Sequence, residues 1–169
     1  MTAKTDAFIT LINAPAQRAQ MHSGIPASFT LAQAGLETGW SVEDAPGHNL
    51  FGIKADSAWL KAKGETVSVS THEDENGKLI PLRALFRAYP DWQASIEDHS
   101  RFFYANPRYH IALTHLDDGI AFVNAIAAAG YATDPDYAHK LITIINQHQL
   151  LDFDVPRDQW AILPWAVIA

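Results

Sequence analysis

The feature that most constrains the fold is how little strand this chain contains. Only residues 65–70 and 79–86 read as strands. They flank the acidic run His72-Glu73-Asp74-Glu75-Asn76-Gly77, and Asn-Gly is a strong signal for a tight hairpin turn. Everything else carries helical spacing or loop chemistry. The expectation is a β-hairpin projecting from a helical body.

The helices are marked by apolar periodicity and by their ends. Phe8, Ile9, Leu11, Ile12, Ala16 and Ala19 predict a helix over residues 5–22, with Pro15 expected to bend or interrupt it. Pro26 and Ser28 open the next helix, Phe29, Ala32 and Leu36 form its stripe, and Gly39 is its stop. Asp91 caps a helix to about residue 105, and another over 120–129 ends at Gly130. Asp134-Pro135 reads as a cap and first-turn proline opening a last helix to about 149. Beyond Leu151, Pro156 and Pro164 break the chain into short apolar pieces. Trp160, Trp165 and Ile168 are too apolar for a free tail. The predicted organisation is a domain over 1–151 and an extension over 152–169, docked on that domain or on a partner.

One acidic residue stands out. Glu37 lies in Ala32-Gln33-Ala34-Gly35-Leu36-Glu37-Thr38-Gly39-Trp40, at the end of a short apolar helix. Apolar neighbours disfavour a charged carboxylate and raise its pKa, which suits a general acid. A glutamate at a helix end is more often plain surface, so the position acquires meaning only from its context. Gln33 is four residues earlier and shares the same helix face at the flank of the stripe, so Glu37 is expected to look into a groove beside the core.

Composition removes several chemistries. The chain has 169 residues, 48% of them hydrophobic, enough for one domain with a substantial core. A formal charge of −7 argues against a general nucleic-acid-binding face. There is no cysteine, which excludes disulfides, thiolate metal sites and a cysteine nucleophile. Eight histidines raise the question of a metal, but no His-Glu-x-x-His and no tight ligand cluster appear, so neither metal nor other cofactor is expected. No Gly-rich phosphate loop or nucleophile elbow is present. Nothing resembles a secretory signal, and no run of about 18 apolar residues could span a membrane.

Five motifs in fixed order carry a resemblance. They are the Ala-Gln-Ala…Glu-Thr-Gly-Trp helix, Asn49-Leu50-Phe51-Gly52-Ile53-Lys54, Phe86-Arg87-Ala88-Tyr89, Asn106-Pro107-Arg108-Tyr109 and Gly130-Tyr131-Ala132-Thr133-Asp134-Pro135. From about residue 25 to 150 the chain resembles the family-73 glycoside hydrolases, which are peptidoglycan N-acetylglucosaminidases. The resemblance implies a mainly helical, lysozyme-like α+β fold with a small β-hairpin lobe and a groove between the lobes. Glu37 matches the family's general acid. Glu73 is the best match to the second carboxylate, with Glu75 and Glu65 in reserve. Tyr131 falls on a tyrosine that lines the cleft, and Asn49, Phe51 and Gly52 match the cleft wall, beside Gln33. Two departures stand out: Ser41 follows Trp40 where glycine is usual, and Lys61-Ala62-Lys63-Gly64 lengthens the hairpin approach.

The expected reaction is hydrolysis of the β-1,4 bond after N-acetylglucosamine in the bacterial wall. The alternatives are a lytic transglycosylase and a wall-binding module without turnover. The expected setting is the periplasm or cell wall, reached without a signal peptide as a phage endolysin or as a type VI secretion effector. An effector implies a cognate immunity protein in the cleft, beside the glycan strand as the main partner. Trp59, Tyr89 and Trp92 are read as packing residues rather than sugar platforms.

Overall fold

The structure is a computed structural model describing residues 2–75 and 78–166, with side chains described outside 71–82. Its first helix, α1 (Ala3–Ser23), opens on Thr2, whose hydroxyl accepts from the Thr5 amide, and closes on Gly24 at φ +78°. Pro15 is buried within it and the helix continues across the proline without interruption. The expected break does not occur. Ile12, Ala16 and Ala19 are fully or almost fully buried around the proline, and that packing outweighs one missing amide donor.

The central element is α2 (Ala27–Thr38). Phe29, Leu31, Ala32 and Ala34 are all fully buried, so this helix is enclosed on every side over most of its length. Pro26 offers its first turn no side-chain cap. Asp154, from the far end of the chain, supplies one: its carboxylate accepts from the Ser28 amide at 2.7 Å and the Ser28 hydroxyl at 2.8 Å. Gln20 Oε1 accepts from both the Ala27 and Val155 amides, tying α1, α2 and the C-terminal segment together. At the other end the chain turns through Gly39 and Trp40, both at positive φ. The Trp40 ring then lies flat against Gly35, so close that a side chain there would fall 2.5 Å from the indole.

A short helix, α3 (Ser57–Lys61), leads into β1 (Thr66–Glu75) and β2 (Lys78–Arg87), an antiparallel pair. The strands are longer than their sequence pattern suggested. His72, Glu73, Asp74 and Glu75 pair with Pro81, Ile80, Leu79 and Lys78, so the acidic run belongs to the ladder and not to the turn. Backbone pairing tolerates an acidic stretch that strand propensity disfavours. The expected turn dipeptide, Asn76-Gly77, lies outside the described residues.

Three more helices complete the body: α4 (Trp92–Ala105), α5 (Gly119–Ala128) and α6 (Tyr137–Gln147). Asp91 and Asp118 cap α4 and α5 with their carboxylates. The last helix begins at Tyr137, not at Asp134-Pro135. Asp134 accepts from the Asp136 amide and the Lys140 ammonium, forming a turn ahead of the helix. The core is aromatic at its centre, where Phe29 meets Phe122 at 4.9 Å and Phe103 at 5.6 Å.

The C-terminal segment lies along α1 and α4. Ala161 and Leu163 donate to the carbonyls of Met21 and His22, and Gln17 donates to the Phe153 carbonyl. Trp160 packs over Gly24, and Trp165 meets Tyr104 edge-on.

Candidate active site

Glu37 occupies the last turn of α2, where the helix leaves the core. It lines a cavity of about 170 Å³ together with Thr38, Asp44, Pro46, Asn49, Leu50, Gly52, Val69 and Phe86. Glu37 is open to solvent on one side, yet the protein around the carboxyl strips part of its hydration and raises its pKa. These two facts agree for a group in a groove wall. The lining is contributed by both lobes: Glu37 and Thr38 come from α2, Val69 from β1 and Phe86 from β2.

The loop facing Glu37 is held by Asn49. Its Nδ2 donates to the carbonyls of Ile53 and Arg87, and its Oδ1 accepts from the Ile53 amide. Those bonds use the amide group and link the loop to the foot of the hairpin. Gly52 sits at φ +60° with open space where a side chain would be. A β-carbon there would be strained by backbone geometry alone.

Beyond the loop is a second cavity of about 500 Å³. The backbone divides the two spaces by alternation. Leu50 and Gly52 line the Glu37 cavity, whereas Phe51 and Ile53 line the second; Phe86 faces the first and Arg87 the second. Arg87 pairs with Asp98 at 2.8 Å and Asp56 at 2.9 Å, and the Tyr89 hydroxyl donates to the same Asp98 oxygen at 2.7 Å. Arg87 also lies 4.7 Å above the Trp59 ring. This network roots the hairpin on α4. Tyr89 is buried in it, and Trp59 and Trp92 are only partly exposed.

Tyr131 also lines the second cavity, just beyond Gly130 at φ +74°. Its ring stacks on Phe103 and Tyr137, with centroids 5.6 and 5.4 Å away. Gln33 Nε2 donates a short hydrogen bond to its hydroxyl, and His99 Nε2 lies 3.3 Å from the same oxygen. Burial, with the charge of Glu37 as a smaller contribution, pushes the phenol up to about 12, so it stays protonated. Gln33 itself is buried. Its side chain reaches Tyr131 rather than open groove.

His99 was not legible as a site residue. It is buried, stacked on Phe51 at 3.8 Å, and burial pushes its pKa down to about 3, leaving it neutral. The available signal was a histidine on the apolar stripe of α4, four residues from Phe103. That pattern is usually core.

The hairpin carboxylates are placed by backbone only in part. Glu65 is exposed at the foot, where its carbonyl accepts from Trp59 Nε1 and the Ala88 amide. Glu73 and Glu75 stand within β1, and their side chains lie outside the described residues. Glu73 and Glu75 share the odd-numbered positions of β1 with Val69, the strand residue that lines the Glu37 cavity, and Glu65, one residue before the strand, has the same parity. Parity therefore does not separate them. Among the described residues no three histidines or carboxylates gather in a metal-holding group, and no helix is long and apolar enough to cross a membrane.

Comparison with known proteins agrees with this architecture. Residues 13–150 match the family model described as mannosyl-glycoprotein endo-beta-N-acetylglucosaminidase. The peptidoglycan hydrolase FlgJ of Vibrio parahaemolyticus is 40% identical over 144 residues, 82% of this chain and 46% of that protein. The exo-glucosaminidase LytG of Bacillus subtilis is 33% identical over 153 residues, 87% of this chain and 52% of that one. The chain thus spans about half the length of the curated relatives it matches. Among solved structures, a glycoside hydrolase domain of Salmonella typhimurium FlgJ superposes with a TM-score of 0.72 at 36% identity. That match covers 86% of this chain and 97% of the other. The catalytic domain of the Listeria monocytogenes autolysin Auto gives 0.76 at 28% identity, covering 91% and 89%. With the helical body, the single hairpin and the groove-facing glutamate in place, the chain belongs to the glucosaminidase family, family 73 of the glycoside hydrolases.

Proposed function

We propose that this protein hydrolyses the β-1,4 bond after N-acetylglucosamine in peptidoglycan, with Glu37 as the general acid. The observation that carries the reading is the Glu37 carboxyl, desolvated in a cavity whose walls come from both lobes. Cleaving a glycosidic bond requires a proton on the leaving oxygen while positive charge develops at the anomeric carbon. A carboxyl whose pKa is raised by burial holds its proton to higher pH than a free one and can give it up in the transition state. A second carboxylate, for which Glu73 is our choice ahead of Glu75 and Glu65, activates water or balances the developing charge. Tyr131, protonated and fixed by Gln33, presents a ring and a hydroxyl near the reacting sugar. Asn49, Phe51 and Gly52 shape the wall against which the glycan lies. The FlgJ and LytG names support the substrate class.

The test is digestion of purified peptidoglycan by wild type and Glu37→Gln, with products reduced by borohydride and read by mass spectrometry. Reduced N-acetylglucosamine ends, absent in the variant, are expected. Anhydro-muramic ends would replace this reading with a transglycosylase, and binding without products would replace it with a wall-binding module. The biological role we attach to the activity is release as an endolysin or injection into a rival's periplasm as a type VI effector. Under the effector reading an immunity protein covers the Glu37 cavity, and co-expression of that inhibitor should rescue a cell carrying the enzyme in its periplasm.

A further inference from the structure

The C-terminal segment lies beyond the family match, which ends at residue 150. Its Trp165 lies under the guanidinium of Arg101, 4.9 Å from the ring centroid. Arg101 belongs to the stripe of α4 that lines the second cavity, where Asp98, Arg101, Phe102 and Ala105 follow one helical face. The other guanidinium there, Arg87, is matched by two carboxylates. Among the described residues Arg101 meets none, in a chain whose formal charge is −7. A guanidinium held over a ring and left without a counter-charge is prepared for a carboxylate from outside.

The position narrows the source. The second cavity shares the Leu50–Ile53 partition with the Glu37 cavity and includes Tyr131, so a ligand in it lies beside the reacting sugar. In peptidoglycan the sugars themselves are neutral wherever the lactyl group is amide-linked to a peptide stem. Charge next to the scissile bond is then carried by the stem.

We propose that the second cavity takes the peptide stem of the glycan strand, with Arg101, steadied by Trp165, pairing with a stem carboxylate. The inference rests on the reading of Glu37 as the acid of a peptidoglycan hydrolase. It assigns the C-terminal segment a part in substrate selection that the family-matched region does not contain.

The experiment compares kcat and KM on solubilised glycan strands with stems intact and on strands stripped of stems by an amidase, which frees the lactyl carboxylate. Wild type should show a KM about three- to fivefold lower on the stem-bearing strands, the range of a partly exposed charge pair. Arg101→Ala should erase that difference while leaving kcat and the stem-free KM unchanged. Arg101→Lys should keep part of it, and Trp165→Ala should weaken it in the same direction. Thermal unfolding of each variant separates loss of fold from loss of recognition, and Arg101 is exposed enough for its substitution to leave folding intact. Equal KM values for wild type on both substrates would overturn the stem assignment while leaving Glu37 in its role. So would an equal loss on both by Arg101→Ala, which would point to the lactyl carboxylate instead. Failure of wild type to cleave either substrate would remove the underlying hydrolase reading and this inference with it.

Discussion

The helical body and the hairpin are held by different forces. In the body, fully buried side chains such as Phe29, Phe103, Phe122 and Ile126 fix the helices by packing. The hairpin is held mainly by its own backbone ladder. Val67 and Val69 are half-buried, Ser68 and Ser70 are exposed, and the attachment to α4 passes through Arg87, Asp98 and Tyr89 at the foot. The proposed acid therefore sits on the packed helical body, and the proposed second carboxylate sits far along a strand of the hairpin, whose described attachment to α4 is at its foot.

The largest effect should come from the chemistry on the helical side. Glu37→Gln should lower wall hydrolysis by about 10²–10⁴-fold, the usual worth of a positioned general acid. Its unfolding midpoint should hold, because a neutral amide replaces a carboxyl that burial already disfavours charging. Glu73→Gln should also cut activity strongly; a mild loss would move the second carboxylate to Glu75 or Glu65. Normal lysis by the Glu37 variant would end the proposed mechanism.

The next effect tests the packing side. Phe29→Ala should cost about 3–5 kcal/mol in chemical denaturation and weaken hydrogen-exchange protection across the helices together. Arg87→Met should cost less, about 2 kcal/mol, because the ion pair is only partly shielded and its removal leaves Asp98 and Asp56 without their cation. Its exchange signature should be confined to β1, β2 and the 49–54 loop. If the helices lose protection equally, the hairpin is not a separately anchored element.

The pH dependence sharpens the same contrast from inside the body. His99 has its folded pKa lowered to about 3, so the unfolded chain binds its proton first as pH falls. Stability from this group is fully present above the unfolded value of about 6.5 and is lost toward pH 3, by up to about 1.4 kcal/mol per unit. His99→Gln should flatten that slope in urea melts between pH 6.5 and 4, and an unchanged slope would show that His99 is not the buried neutral group. The smallest change is expected from Asp154→Ala, which removes the borrowed cap of α2 and should cost about 1–2 kcal/mol.

Much of this was legible in the sequence because it depended on neighbours in the chain. Gly39 closes α2, Asp91 and Asp118 cap their helices, and the two strand runs meet in one hairpin. Spacing put Gln33 and Glu37 on one face, and motif order pointed to Tyr131. Three readings required correction. Pro15 does not interrupt α1, the acidic run lies in the ladder rather than the turn, and the last helix starts at Tyr137. Packing overrode the first local preference and strand pairing the second, whereas the third start follows a local turn in which Asp134 accepts from the Asp136 amide and the Lys140 ammonium.

The sequence by itself determined the element types, the position of Glu37 at a helix end, and the family through its ordered motifs. Local propensity and spacing are properties of neighbours along the chain, so one dimension suffices to read them. Only the tertiary structure decided that Gln33 holds Tyr131 instead of facing the groove, and that Asn49 ties the loop to the hairpin foot. It also decided that His99 is buried and neutral, that Asp154 caps a helix 126 residues away, and that two cavities share one partition. Those features depend on burial and on pairs far apart in sequence, and desolvation and hydrogen-bond partners have no fixed spacing along a chain.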